Sequence, residues 1–409
     1  MNNQKIIIIG GGFAGLAFLY KVGNEKSIKN LDITLIDQRD TSLEKPSLPE
    51  VALIGKDVEK VKIKLKPLLE RKGVRFINSR VDLIDPDKQI VILNDNTQLP
   101  YDYLIIATGA VKDYEATPGF KEYAYSVCDD EQALKLHKRL LVFNGGNIVI
   151  GSAKTNWGTH QNVETLAAPC EGPIGEVMFM LDYNLRQRNL RDKSTITVFS
   201  PGKIFFEDVG PQVHNDMAPL LKECDFKIVT SKILKSIEKD RVVFEDGSSL
   251  PSDLTIAIPK YTSSPMIKNS NLGDEMGFIL TDDQMKHTKY QNIFAVGDNN
   301  VKAMPKLGHI AIMQAQIAAS AFIKELTGKG EVPKFKPEVF CIMNQGEKAI
   351  LILSNYLFGG NIDLTFKGSI AHMMKWSFDE YYYFTKGHMP PEMMQQGLEV
   401  FLKDFINKS

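Results

Sequence analysis

The chain has 409 residues, 43% of them apolar and 24% charged, with a formal net charge of −1. That is material for two or three domains with substantial cores, and a charge so close to zero gives no electrostatic case for nucleic acid. No run reaches 18 apolar residues, so no transmembrane helix is expected, and four scattered cysteines, Cys128, Cys170, Cys224 and Cys341, are too few for a disulfide scaffold.

The N-terminus lacks a basic region followed by a cleavable apolar segment, so the mature chain is expected to begin at Met1 and to stay off the general secretory route. Lys5 leads into Ile6-Ile7-Ile8-Ile9 and then Gly10-Gly11-Gly12-Phe13-Ala14-Gly15. Four consecutive isoleucines suit a parallel strand covered on both faces. The glycines hold the G-x-G-x-x-G spacing of a dinucleotide turn: Gly10 for the sharp bend, Gly12 for approach of a pyrophosphate, Gly15 for packing helix against strand. Backbone N–H groups of the helix's first turn, around Ala14, then face the phosphates. Leu31-Asp32-Ile33-Thr34-Leu35-Ile36-Asp37 reads as a second strand, with Asp37 at the ~20-residue offset of a ribose 2′-OH acceptor.

Pro46-Ser47-Leu48-Pro49 is expected to be an irregular loop near the dinucleotide, because its prolines oppose regular structure. Val74-Arg75-Phe76-Ile77, Val81-Asp82-Leu83-Ile84 and Ile90-Val91-Ile92-Leu93 read as short strands, with a turn at Asn94-Asp95-Asn96. They are similar to the small antiparallel insertion of flavoproteins with two dinucleotide domains. Residues 101–110 form a buried strand ending in Ala107-Thr108-Gly109, which resembles the segment where the chain leaves a flavin domain. Its counterpart is Asn292-Ile293-Phe294-Ala295-Val296-Gly297-Asp298, where Asp298 can bind a ribityl chain or a phosphate and Gly297 permits close approach. Together with the N-terminal turn, these two segments point to FAD rather than NAD as the first nucleotide.

A second dinucleotide unit is expected between them, opening on Gly146-Asn147-Ile148-Val149-Ile150-Gly151. Its turn continues as Ser152-Ala153-Lys154-Thr155-Asn156-Trp157, where two of the needed glycines are missing and Lys154 and Trp157 would crowd a pyrophosphate. The scaffold is therefore expected to persist without a nicotinamide nucleotide, and electrons must reach the flavin from another donor.

The cysteines are the candidates for handling that donor. None forms C-x-x-C or C-x-x-x-x-C, so adjacent redox pairs and zinc ribbons are excluded, and no metal is expected. An isolated cysteine is ordinarily a small buried hydrophobe, and that is the reading of Cys224. Cys170, in Pro169-Cys170-Glu171-Gly172-Pro173, sits in a turn beside carboxylates where packing explains little, with Glu176 six residues on. Farther along, Pro305-Lys306-Leu307-Gly308 leads into a helix of small residues. Its N-terminus can face the flavin's pyrimidine edge and stabilise negative charge there, with Lys306 adding to it.

From about Val332 aromatic residues accumulate, among them Phe340, Phe358, Tyr383 and Phe384, with Ile342 nearby. Such walls suit a quinone ring, and they equally suit a core. Residues 389–406 place Met394, Leu398, Phe401, Leu402 and Phe405 on one helical stripe, which packs on a core or lies in a lipid interface.

Tyr125-Ser126-Val127-Cys128, the Cys170 to Glu176 segment, Pro305-Lys306-x-Gly308 after Gly297-Asp298, and Cys341 together resemble sulfide:quinone oxidoreductases, particularly archaeal ones, over essentially the whole chain. The resemblance implies an α/β fold of two Rossmann-like dinucleotide-binding domains: a discontinuous FAD domain at 1–115 and 262–329, a second domain at 116–261, and a C-terminal quinone and membrane region at 330–409. It implies that Cys170 and Cys341 carry sulfur beside the flavin, that Cys128 can tether FAD covalently, and that Glu176 is the acid/base carboxylate. Sulfide as donor, a membrane quinone as acceptor, a peripheral position on the cytoplasmic membrane face and room for a homo-oligomer come with the same likeness. The histidine motif of some bacterial members is absent near Cys128. Rival readings are a type II NADH:quinone dehydrogenase on the same scaffold, a flavocytochrome-type sulfide dehydrogenase, for which the chain lacks its own C-x-x-C-H, and a non-catalytic flavin-binding protein.

Overall fold

The computed structural model describes residues 3–28, 31–157 and 165–388. The elements that position the site are β1 (Gln4–Ile9), α1 (Phe13–Gly23), β2 (Leu31–Asp37), β3 (Arg75–Asn78), β4 (Tyr103–Ile106), β5 (Ala124–Tyr125), α2 (Asp130–Leu141), β6 (Gly146–Ser152), α3 (Gly172–Gln187), β7 (Ser194–Phe199), β8 (Phe226–Val229), β9 (Leu254–Ile258), β10 (Ile293–Ala295), α4 (Gly308–Thr327), β11 (Val339–Asn344), β12 (Ala349–Ser354), β13 (Asp363–Gly368) and α5 (Ser369–Phe384).

Two parallel five-stranded sheets carry the fold, in the orders β10-β4-β1-β2-β3 and β5-β9-β6-β7-β8. This is the expected α/β architecture of two Rossmann-like units. The isoleucine run lies at the centre of the first sheet and is buried on both faces: Ile6 and Ile8 pack under α1, while Ile7 and Ile9 face a separate cluster with Leu104 and Ile106. Strand register aligns the loops that leave this sheet. Ile9 lies opposite Ile106, and Ile106 opposite Ala295. One step beyond that shared row come Gly10, Ala107 and Val296, so three distant segments leave the sheet at its carboxyl edge together, where ligands bind in open α/β sheets.

Two details differ from expectation, and a third is new. Arg75–Asn78 pairs in parallel with β2, Thr34 opposite Arg75, and so extends the main sheet; the antiparallel insertion consists of Val81–Asp85, Ile90–Leu93 and Gln98–Pro100. A short half-buried strand has the same pattern at a parallel edge as in a hairpin. The Pro46 to Pro49 stretch is helical, a 3-10 turn at Lys45–Ser47 leading into a helix at Leu48–Ile54. Its prolines sit in the first turns, where their missing N–H costs nothing. The second unit also has its own antiparallel meander at Leu234–Ile237, Arg241–Phe244 and Ser249–Pro251.

The third sheet, β11-β12-β13, is antiparallel and is covered by α5. The end of α5 returns to the first unit: the ring of Tyr382 lies 4.9 Å from that of Phe13, and the Tyr20 hydroxyl donates to the carbonyl of Lys386. The stripe at 389–406 lies outside the described residues.

The glycine turn yields a stability contrast. A Cβ on Gly15 would sit 1.9 Å from the carbonyl oxygen of Gly10, whereas one on Gly12 meets nothing within 4 Å. Gly15→Ala is expected to lower unfolding free energy by about 1–3 kcal/mol through overpacking, and Gly12→Ala to change it by less than about 0.5 kcal/mol, both read from urea midpoints.

Candidate active site

At the carboxyl edge of the first sheet the backbone forms a cradle. Gly10 holds φ +108°, and a Cβ there would lie 2.3 Å from the Ala107 carbonyl oxygen. Gly12 precedes α1 with open space beside it, and no side chain caps the helix's free N–H groups. Asp37 accepts from the N–H groups of Gly11 at 2.6 Å and Arg39 at 2.8 Å; burial nevertheless raises its carboxyl above the ordinary range. Across the cradle, Gly297 has φ +80°, and a Cβ there would be 3.2 Å from that of Ala14; one on Gly308 would be 3.6 Å from the Phe13 ring. Thr108, after Ala107 and before Gly109, receives the Asn299 amide at 3.3 Å. The other amide atom, Asn299 Oδ1, is fully buried with no hydrogen-bond partner. A glycine-lined cradle at a bare helix N-terminus, with an orphaned amide oxygen beside it, fits a dinucleotide.

Cations gather around Asp298. Lys306 is buried; its ammonium donates to the Asn300 carbonyl at 3.0 Å and lies over the rings of Trp157 and Phe278. Burial pulls it down to about 7 against the pull of Asp298. Lys45 is lowered to about 8, first by the neighbouring Lys112 charge and then by burial. Lys45 and Lys112 belong to no motif, and nothing in the sequence marks them. Trp157 does not project at a phosphate: its indole N–H donates to the Leu166 carbonyl at 2.6 Å, and its ring packs among Ala110, Phe278 and Met304. Lys154 is exposed. The second turn departs from a nicotinamide site for another reason: no helix begins on Gly151, and in the described residues the next helix is α3.

Of the cysteines, the structure brings Cys170 and Cys341 together. Cys170 ends the loop before α3, and the backbone N–H of Lys306 donates to the neighbouring Pro169 carbonyl at 2.9 Å. Cys341 comes from β11, opposite Ile352. A Cβ on Gly172 would lie 3.1 Å from the sulfur of Cys341 and 3.9 Å from that of Cys170. Both are free thiols. Burial pushes Cys170 well above the ordinary thiol range and Cys341 up to about 12.

Glu176, one turn into α3, is the strongest charge acting on Cys341. Its carboxylate is paired with the buried ammonium of Lys375 from α5. Burial raises Glu176 to about 7 against that ammonium. Burial also opposes the charge on Lys375, but Glu176, Asp379 and Glu50 around it outweigh this and keep it above the ordinary lysine range. The lysine therefore stays charged, and Glu176 is the partner that titrates.

Cys128 precedes α2, which Asp129 caps by accepting from Gln132 N–H at 2.8 Å. The Cys128 sulfur is 3.8 Å from the Tyr261 hydroxyl, and burial raises its thiol against the nearby Lys112 charge. Tyr261 also responds to Cys170 and Asp298, so it stands between the two cysteine neighbourhoods. Cys224 caps the far end of helix Pro211–Glu223, where its carbonyl accepts from Arg191 at 2.6 Å.

The apolar candidates are dispersed. Phe340 and Ile342 flank Cys341 and pack on the opposite face of β11, with Met374 of α5 in the same cluster; Phe340 also lies 5.6 Å, ring to ring, from His309. Phe358 is in a turn after β12. Tyr383 borders a cavity of about 150 Å³ with Glu44, Lys56 and Asp379, and Phe384 is 83% exposed.

Comparison with known proteins agrees with this geometry. A sulfide-quinone reductase of Aquifex aeolicus is 27% identical over 98% of this chain and 95% of its own. The crystal structure of the sulfide:quinone oxidoreductase from Aquifex aeolicus superposes with a TM-score of 0.86 at 25% identity, covering 98% of this chain and 96% of the other. A type II NADH:quinone oxidoreductase of Mycobacterium tuberculosis is 24% identical over 85% of this chain and 77% of its own. Residues 4–318 match the family described as pyridine nucleotide-disulphide oxidoreductase. With more than half of its length so matched, and with the glycine cradle in register at the sheet edge, this chain belongs to the pyridine nucleotide-disulphide oxidoreductase family.

Proposed function

We propose that this chain is a flavin-dependent sulfide:quinone oxidoreductase. The observation that carries this reading is the meeting of Cys170 and Cys341, remote in sequence, over the bare face of Gly172 with Glu176 one turn away. A pair of sulfurs held at one helix start can carry sulfur between them, which NADH oxidation does not require.

FAD would be held by Gly10, Gly12, Ala14 and Gly15 at the pyrophosphate, Asp37 at the ribose, and Ala107, Thr108, Gly109, Gly297, Asp298, Lys306 and Gly308 along the rest of the cradle. When bound, the flavin supplies a two-electron acceptor for the thiols and a donor for quinone. Sulfide exchange at Cys170 and Cys341 needs a nucleophilic sulfur anion and a leaving thiolate. Cys170 is buried and Cys341 half-buried, and the loss of solvent holds both thiols neutral, so a base must act on them, and Glu176, poised near neutrality beside Cys341, is placed to take and return that proton. Cys128, with Tyr261 and Lys112 beside it, is the proposed covalent tether.

Quinone is assigned to the region around Phe340, Ile342, Phe358, Tyr383 and Phe384, and the chain is divided as 1–115 with 262–329, 116–261 and 330–409. The proposed position is peripheral, on the cytoplasmic membrane face; contact with a membrane surface is supported by the outward side of α5, where Ile370, Met373, Trp376 and Phe384 are all more than half exposed. Among the described residues no helix is long and apolar enough to cross a membrane.

Anaerobic stopped-flow absorbance decides between donors. Sulfide is expected to bleach the flavin and a soluble quinone to restore it, whereas rapid bleaching by NADH would move the chain to the dehydrogenase reading. Cys170→Ser and Cys341→Ser are each expected to abolish sulfide-dependent bleaching with flavin still bound, and Glu176→Gln to slow it about 10²–10⁴-fold. Denaturing mass spectrometry is expected to find the flavin mass on the peptide that holds Cys128, and to lose it in Cys128→Ser.

A further inference from the structure

In the reading above Glu176 takes a proton from Cys341, yet it is 5% exposed and closed in by Lys375 and the Asn344 N–H. Sulfur carried between Cys170 and Cys341 replaces their S–H bonds, so a proton taken there has to leave the interior. A way out begins one turn along α5 from Lys375. Asp379 is the next carboxyl on that face of the helix, and after Glu176 it is the strongest charge acting on the Lys375 ammonium. That ammonium also donates to the Pro46 carbonyl at 3.3 Å, and the next residue, Ser47, donates its hydroxyl to Asp379 at 3.1 Å.

Asp379 lines the cavity of about 150 Å³ with Glu44, Ser47, Lys56, Lys60 and Glu380. Lys60 and Glu380 are exposed, so the cavity reaches the surface, whereas Glu44 is 3% exposed and Asp379 5%. One oxygen of each buried carboxyl is tied to Ser47: Glu44 Oε2 accepts from its N–H at 3.1 Å, and Asp379 Oδ2 from its hydroxyl. The other two, Glu44 Oε1 and Asp379 Oδ1, are buried with no hydrogen-bond partner. A buried acceptor left unpaired is costly, and a polar cavity of this size has room for several waters that would pair it. Lys56 donates to the Ser47 hydroxyl at 2.9 Å and to Glu50 at 2.7 Å, and lies 3.9 Å from Asp379. Burial raises both carboxyls above their ordinary range. The Asp379 charge raises Glu44 further, while Lys375 and Lys56 pull both down and Glu50 opposes them at Asp379. The Tyr382 hydroxyl, behind Glu44, stays protonated because it is buried. Two neighbouring carboxyls raised in this way share a proton and exchange it near neutrality.

Resting on the sulfide reading above, we propose that this cavity is the proton outlet of the sulfur site, with Asp379 as the relay between Lys375 and solvent and Glu44 as the carboxyl that shares its proton. The step is proton transfer alone. The O–H bond on Glu176 breaks, and Lys375 takes that proton as it gives one of its own N–H protons to the Asp379 carboxylate. Water in the cavity then carries the proton from Asp379 to the mouth at Lys60 and Glu380. Lys375 ends charged as it began, as the anions around it require.

The test sets one turnover against many. Wild type, Asp379→Asn and Asp379→Glu are mixed anaerobically with sulfide to read the first bleaching of the flavin, and are then run to steady state with sulfide and a soluble quinone. In Asp379→Asn the first bleaching is expected to stay within about twofold of wild type, because Glu176 still takes its proton, while kcat falls about tenfold or more with the quinone KM unchanged. Imidazole, a small carrier that takes and gives protons near neutrality, is expected to restore turnover in Asp379→Asn and to leave wild type as it is. Asp379→Glu should keep most of the wild-type kcat. Glu44→Gln, which leaves α5 intact, should lower kcat at least about threefold with the same rescue, and it carries the test if Asp379→Asn does not load flavin. An unchanged kcat overturns the proposal, as does a first bleaching that falls as far as kcat, a loss confined to the quinone KM, or a turnover that imidazole does not restore. No bleaching of the wild type by sulfide would strike the sulfide reading itself, and this inference with it.

Discussion

The site depends on two hydrogen atoms standing where side chains would be. Gly172 and Gly175 lie three residues apart at the start of α3, on one face of the helix. Over the first sit the sulfurs of Cys341 and Cys170; a Cβ on the second would be 2.6 Å from both the Met343 sulfur and the Phe206 ring. That bare face lets β11 come down from the C-terminal sheet, and lets the loop carrying Phe206, Glu207 and Asp208 come in from the second unit. A methyl at Gly175 would push Met343 and Phe206 away from the helix, and one at Gly172 would crowd the Cys341 sulfur. The cysteine pair is thus a product of close packing at one helix end, and neither cysteine needs a partner nearby in sequence.

Charge is partitioned around this point. On the cradle side Lys45 and Lys306 feel the charge of Asp298, and Lys112 stands beside both lysines, an arrangement suited to the anionic parts of a dinucleotide. On the sulfur side Glu171, Glu207, Asp208 and Glu176 surround two neutral thiols, with Lys375 as the buried counter-ion to Glu176. The two fields meet near Tyr261, which touches Cys128 through its hydroxyl and carries Lys112 over its ring at 4.5 Å.

Much of this is legible in the sequence because it obeys short-range rules. Ile6 to Ile9 had to be a central strand, and Gly10, Gly12 and Gly15 have the three distinct surroundings that their spacing requires. Cys170 stands out because a Pro/Gly turn beside carboxylates makes little sense as core, whereas Cys341 reads as an ordinary strand residue and enters only through the family resemblance. What escapes is assembled by tertiary structure from ordinary residue types. Asp208 follows Phe205-Phe206-Glu207 and carries no motif; only the loop's return against Cys170 makes it a neighbour of sulfur. Lys112 and Tyr261 face each other because Val111–Asp113 pairs with Lys260–Thr262, a two-strand contact with no sequence signature. Pro49 argues for a loop and lies in the first turn of a helix, since proline's missing N–H matters only farther in. Trp157 reads as an obstruction and instead packs inward, because its indole finds the Leu166 carbonyl.

The last helix joins surface to centre within one residue step. On α5, Trp376 is 60% exposed and its neighbour Lys375 is 4% exposed, bound to Glu176 and to the Pro46 carbonyl. A rigid helix cannot tilt or slide at Trp376 without moving Lys375. Whatever leans on that outer face therefore acts as a lever on the proton held by Glu176, and the chain's contact with its surroundings and the ionisation of its sulfur site are parts of one mechanical unit.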